Sequence, residues 1–187
     1  FDWSDTEKGR EIGKAMQHFA AFYLGPEIGN TSEGHNRNWL WEPKHWISLA
    51  LGLKSFGLNI AVVGATYDRS FWERYVQEGV RQAGMSWIDL IGKLEIGETF
   101  ALLKEAQLFV SYQCGLGIVN HYMGGKVAMW WRPEGDSAHG ERMISFHEEM
   151  RNCWVRPGWE KNYLGLLYKR ESVADIVIEM EKRGWLS

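Results

Sequence analysis

Apolar residues along the chain fall into two alternating kinds of run. Four are short and unbroken: NIAVVG (59–64), WIDLIG (87–92), LFVSY (108–112) and KVAMWW (126–131). They lack the apolar–polar alternation of a half-exposed strand, so they predict strands buried on both faces. Between them the apolar positions recur at helical spacing. A helix is predicted from Pro43, a favourable first-turn residue, with Trp46, Leu49, Ala50 and Leu53 on one face and its end near Gly57. Asp68 is placed to cap a second helix carrying Trp72, Tyr75 and Val76, and a third spans Glu98–Ala106. A fourth covers 115–124, and the last runs from Glu171 to Arg183 with Val173, Ile176, Val177 and Met180 as its stripe.

Ahead of these elements, residues 6–24 read as a helix, because Ala15, His18, Phe19, Phe22 and Tyr23 share a helical spacing and Gly25-Pro26 stops it. The segment GPEIGNTSEGHNRNW that follows reads as loop, and MISF (143–146) as a short strand. Strands alternating with helices in this way build an α/β fold, a doubly wound parallel sheet of Rossmann type with right-handed crossovers. The expected organisation is a linker helix and loop over 1–42 and a doubly wound domain over 43–187.

Composition narrows the function. The chain has 187 residues, 45% apolar and 24% charged, the balance of a globular protein with one well-buried core. A net charge of −3 without runs of like sign argues against a nucleic-acid footprint. No apolar stretch is long enough to cross a bilayer, and the polar, acidic first segment does not read as a signal peptide. Two cysteines, Cys114 and Cys153, make neither a disulfide framework nor a zinc pattern, so a reducing, cytoplasmic setting is expected. Eleven tryptophans read as packing, since each buries a large area. The chain opens on Phe1 rather than Met, which leads to the expectation of a piece of a longer protein.

In an open parallel sheet, ligands bind where strand carboxyl ends meet helix amino ends. Three loops qualify: GATYD (64–68), GKLEIGE (92–98) and SYQCGLG (111–117). In the third, Gly115 and Gly117 let backbone approach a ligand, and the following helix points unpaired N–H groups outward, which suits a diphosphate. Turns of this kind are also common as plain corners. The pattern stops short of G-x-G-x-x-G because Asn120 stands at the third glycine. Cys114 precedes a helix start, where thiol pKa tends to fall, yet a small packed thiol is the commoner case. His121, one turn further, faces either the ligand loop or a neighbouring helix. FHEEM (146–150) lacks the second histidine of a zinc protease motif, and the scattered histidines suggest no metal site.

Taken together, WEPKHWISLALGLKSFGLNIAVVG and IDLIGKLEIGETFALLKEAQLFVSYQCGLGIVNHYMGGKVAMWW resemble the C-terminal domain of the heptosyltransferase-like glycosyltransferases (family 9, GT-B fold). HFAAFYLG (18–25) resembles the helix linking that family's two domains, and FHEEMRNCWV its cysteine-containing loop. The resemblance covers most of residues 15–183 and is stronger in order and spacing than in identity. It implies a domain that holds a nucleotide diphosphate sugar, with the acceptor and the catalytic Asp supplied by an N-terminal domain or partner chain not found here. Gln113-Cys114-Gly115 would occupy the family's Asp-Thr/Ser-Gly loop and meet phosphate through backbone. Thr66 and Asp68 would sit in the loop after the first strand, Gly92 and Lys93 near the base or ribose, and Arg37 or Asn38 at the basic position before the Trp-Pro segment.

Here the usual Asp is Gln113, the hydroxyl residue is Cys114, and Ile118 replaces a histidine for which His121 stands one turn on. The resemblance implies no metal; a cation such as Lys93, Arg37 or Arg132 would meet the leaving diphosphate. Two other classes stay open: a binding or assembly module that keeps the fold without catalysis, and a dinucleotide oxidoreductase. The last would use Glu134, but the glycine pattern fails it.

Overall fold

The computed structural model describes residues 6–25, 41–112, 114–131, 155–167 and 172–187. Several sequence expectations lie outside these residues: the strand at 143–146, and Arg37, Asn38, Gln113, Arg132, Glu134 and Cys153.

The chain opens with helix α1 (Glu7–Met16) and strand β1 (Phe19–Tyr23), followed by α2 (Pro43–Lys54) and β2 (Asn59–Val62). A 3-10 turn (Thr66–Asp68) then leads into a continuous helical stretch: α3 (Arg69–Phe71), a π-helical turn (Trp72–Val76) and α4 (Gln77–Gln82). Next come β3 (Ile88–Asp89), α5 (Ile96–Glu105), β4 (Leu108–Tyr112), α6 (Gly115–Tyr122) and β5 (Val127–Trp131). After another 3-10 turn (Glu160–Asn162), β6 (Tyr163–Leu167) and α7 (Val173–Lys182) complete the described chain.

All six strands pair in parallel, in the order β3-β2-β1-β4-β5-β6. Both faces of the sheet are covered, as continuous apolar strands require. The period of two along β1 shows how. Ala20 and Phe22 join a core with Trp46 and Leu49 of α2, Val80 of α4 and Met180 of α7. Phe19, Ala21 and Tyr23 join the opposite core with Phe100 and Leu102 of α5, against which Leu116 and Ile118 of α6 pack. Among the described tryptophans, Trp46, Trp130 and Trp185 are fully buried and serve packing, with the Trp46 and Trp130 rings 5.4 Å apart.

One prediction needs correction. The helix expected over residues 6–24 ends at Met16, and Phe19–Tyr23 is a strand at the centre of the sheet. The run Phe19–Leu24 is apolar throughout, and such a run fits a buried strand as well as a buried helix. Gln17 marks the break, with φ 52° and ψ −129°, a conformation that no helix interior contains. The strand predicted over 87–92 is paired only at Ile88–Asp89, on the sheet edge. Strand β6 went unpredicted, since YLGLL is short and carries a central glycine.

Helix α1 packs on α5 through glycines. A Cβ at Gly9 would stand 1.9 Å from the Glu98 carbonyl oxygen, and one at Gly13 would stand 2.7 Å from the Glu105 Cβ. Beside this contact the Lys8 ammonium reaches the Glu98 carboxylate at 3.0 Å and the Lys93 carbonyl at 3.1 Å.

Candidate functional site: a cleft at the carboxyl edge of the sheet

The strand order reverses between β1 and β4, and ligands of doubly wound folds bind outside the carboxyl ends of the strands at such a point. A cleft of about 440 Å³ opens there. Its lining comes from the end of β1 (Tyr23), the turn after β2 (Gly64–Asp68), the loop after β3 and start of α5 (Gly92, Leu94–Ile96, Thr99), and the start of α6 (Cys114–Leu116).

The two loops after β2 and β3 are tied to each other. The Gly92 N–H donates to the Gly64 carbonyl at 2.8 Å, and the Arg69 guanidinium reaches the Asp89 carboxylate at 3.0 Å and the Ile91 carbonyl. Gly92 has φ +66°, the left-handed region, and a Cβ there would meet Thr66 Oγ1 at 2.8 Å. Within the first loop, Asp68 folds back so that its Oδ2 accepts the Ala65 N–H at 2.7 Å.

Asp68 is 4% exposed, and its second oxygen has no hydrogen-bond partner among the described residues. Burial pushes its carboxyl above the usual carboxylate range, against the pull of the Ala65 N–H and of the neighbouring Tyr23 hydroxyl. The Tyr23 phenol is raised in turn, first by burial and then by the Asp68 charge.

At the start of α6, Cys114 is the cap. Its sulfur accepts the Gly117 N–H at 3.4 Å. Burial raises the thiol pKa, which makes Cys114 a protonated packing group rather than a thiolate nucleophile. The Gly115 N–H makes no hydrogen bond among the described residues, and a Cβ on Gly115 would meet nothing within 4 Å. An open N–H at the positive end of a helix dipole favours an anion.

Thr66, Asp68, Gly92, Cys114 and Gly115 thus line one cleft. Lys93 does not line it: its ammonium donates to the Asp89 carbonyl at 2.7 Å. Gly117 lies beneath the cleft, where a Cβ would meet the Met129 methyl at 2.4 Å, so this glycine lets the helix close on the sheet. Ile118 packs into the core on that face. His121 is fully buried and faces the other way, with its ring 5.2 Å from that of Tyr163 and its Nε2 accepting the Arg156 N–H at 2.9 Å. Tyr23, Tyr67, Leu94 and Ile96 line the cleft and were missed. Tyr23 was hidden by the helical reading of residues 6–24; the others lie in loops that the sequence marked, but nothing in it singled out these side chains. Among the described residues no three His, Cys, Asp or Glu side chains converge as a metal would need, and no helix is long and apolar enough to cross a membrane.

A doubly wound parallel sheet with a cleft at its switch point defines a Rossmann-like domain. Residues 6–121 match the model of glycosyltransferase family 9 (heptosyltransferase), and the chain belongs to that family. Two solved structures share the fold. One is the E. coli ADP-heptose lps heptosyltransferase II, 12% identical with a TM-score of 0.65, covering 95% of this chain and 51% of that one. The other is the glycosyl transferase family 9 protein from Veillonella parvula DSM 2008, 16% identical with a TM-score of 0.62, covering 97% and 53%. The chain therefore spans about half the length of each. No curated protein sequence matches it.

Proposed function

We propose that this chain is the donor-binding half of a glycosyltransferase, holding a nucleotide diphosphate sugar for transfer to a glycan or other acceptor. Family membership makes glycosyl transfer the reaction class. The observation that supports a donor site is the open Gly115 N–H at the start of α6, facing the cleft at the switch point. In this reading the acceptor oxygen attacks the anomeric carbon while the bond from that carbon to the diphosphate oxygen breaks. The diphosphate leaves with the bonding electrons and gains negative charge. The helix start at Cys114-Gly115 meets that charge with fixed N–H dipoles, and losing one such donor can lower a rate by about 10²–10³. Thr66 and Asp68 hold hydroxyl groups of the donor, with Gly92 keeping their loop in place. The base that deprotonates the acceptor comes from a further domain or a partner chain.

The described lining carries no Lys or Arg side chain. Additional cationic charge is assigned to Arg37 or Arg132. The same observation favours a second reading, in which this half binds the donor without turning it over.

Titration calorimetry of the chain with UDP, ADP and GDP, without and then with magnesium, tests the proposal. Binding of one nucleotide without metal, abolished by Gly115→Trp, supports it. A Cβ at Gly115 starts in open space at a residue that lines the cleft, so the variant is expected to fold, which its far-UV circular dichroism checks. A folded chain that binds none of the three would overturn it.

A further inference from the structure

The cleft is chemically lopsided. At one end lie Cys114 and Gly115, where the Gly115 N–H has no partner among the described residues and a Cβ on Gly115 would meet nothing within 4 Å. Elsewhere on its rim stand Tyr67, Leu94 and Ile96. Tyr67 is 69% exposed and Ile96 is 51% exposed, which is unusual for large apolar groups beside a concave site. The backbone that carries them is not a loose loop. Tyr67 sits in the 3-10 turn closed by Asp68 on Ala65, and that turn is tied to the loop after β3 through the Gly92–Gly64 hydrogen bond and through Arg69. No ring among the described residues packs on Tyr67, so an exposed aromatic side chain on a tied-down backbone lines the cleft without an aromatic partner.

A nucleoside diphosphate has a matching polarity, with a doubly charged end and a flat heterocycle joined by a ribose. We propose that Tyr67 is the stacking platform for the base of the donor, with Leu94 and Ile96 forming the apolar wall beside it. The inference rests on the donor reading above and deepens it, since it assigns affinity for the nucleoside part to a side chain that the sequence did not mark. Stacking tolerates any base, because every base has a π face. Tyr67 therefore sets how tightly a nucleoside is held, and discrimination between bases is left to polar groups.

The test is calorimetric titration of the parent chain, Tyr67→Ala and Tyr67→Phe with ADP, with UDP and with inorganic pyrophosphate, which has no base. Removing the ring should weaken binding of the nucleoside diphosphate by about 5- to 150-fold, the usual value of one base–aromatic stack. Tyr67→Phe should bind within about twofold of the parent, as the stack needs the ring and not the hydroxyl. Pyrophosphate should bind all three chains alike. If Tyr67→Ala holds the nucleotide as tightly as the parent, or loses pyrophosphate in equal proportion, the stacking role is wrong while the donor site survives. If the parent binds neither ADP nor UDP, the donor reading itself fails, and this inference with it.

Discussion

Two glycines on the same cleft should respond to alanine in opposite ways. At Gly92 the backbone is left-handed, with φ +66°, and placing a Cβ there costs roughly 1–2 kcal/mol from local sterics alone. The added carbon would also lie 2.8 Å from Thr66 Oγ1 and 3.1 Å from Thr66 Cα. The hydroxyl can rotate aside, but the Cα cannot, so the two loops must separate. That separation stretches the 2.8 Å hydrogen bond from Gly92 to Gly64, worth about 1 kcal/mol net. Gly92→Ala should therefore lose about 2–3 kcal/mol, which for a chain of this size lowers Tm by roughly 4–12 °C. Gly115→Ala meets nothing within 4 Å and replaces a poor helix former in the first turn of α6, so its stability should stay within about 0.5 kcal/mol of the parent. Its binding of nucleoside diphosphate should fall, because the methyl group adds bulk at a residue that lines the cleft. Urea unfolding of the three proteins, read by tryptophan fluorescence, measures the difference directly. A Gly92→Ala protein with the parent's midpoint, or a Gly115→Ala protein that loses the same stability, would refute this division between a structural and a functional glycine.

Other substitutions probe the frame around the site. Gln17 holds φ 52° and ψ −129° at the end of α1, so Gln17→Gly should raise stability by about 1 kcal/mol as that strain is released; an unchanged or lowered Tm would count against it. His121 is buried and neutral, and burial holds its pKa below the ordinary imidazole value. As pH falls, the unfolded chain takes the proton first. The stability tied to neutral His121 is therefore complete above about pH 6.5 and is lost as pH drops through the lower folded-state pKa. In His121→Phe this part of the pH dependence should disappear, which urea midpoints at pH 8 and pH 5 would show; the parent's slope retained in the variant would contradict the assignment.

The fold could be read from the chain wherever a run had one meaning. The strands β2, β4 and β5 are bounded by glycine, Gln or Lys and flanked by amphipathic helices, so length and neighbours agree. Helix α7 was legible from its apolar stripe, of which Ile176 and Met180 are buried, while the cap that Ser172 and Asp175 form at its start was not read. Phe19–Leu24 had two meanings, because an all-apolar run directly after an amphipathic helix continues the helical spacing by chance. The site was legible at the level of loops, since the rule for doubly wound sheets names strand ends. Side-chain direction was not legible. Lys93 and Gly92 are neighbours in sequence, yet one turns out to Asp89 while the other floors the cleft. In GLG, Gly115 and Gly117 look equivalent, and only the packed sheet beneath one of them separates their roles.

The most direct measurement is a backbone amide spectrum of the isotope-labelled chain, recorded as UDP, ADP and GDP are added in turn. A donor site at the switch point predicts that one nucleotide shifts the amides of Thr66, Tyr67, Leu94, Ile96, Gly115 and Leu116. Gly124, Gly125 and Lys126, which precede β5 at the opposite edge of the sheet, should stay fixed. Shifts centred on that opposite edge, or a spectrum unmoved by every nucleotide, would contradict it.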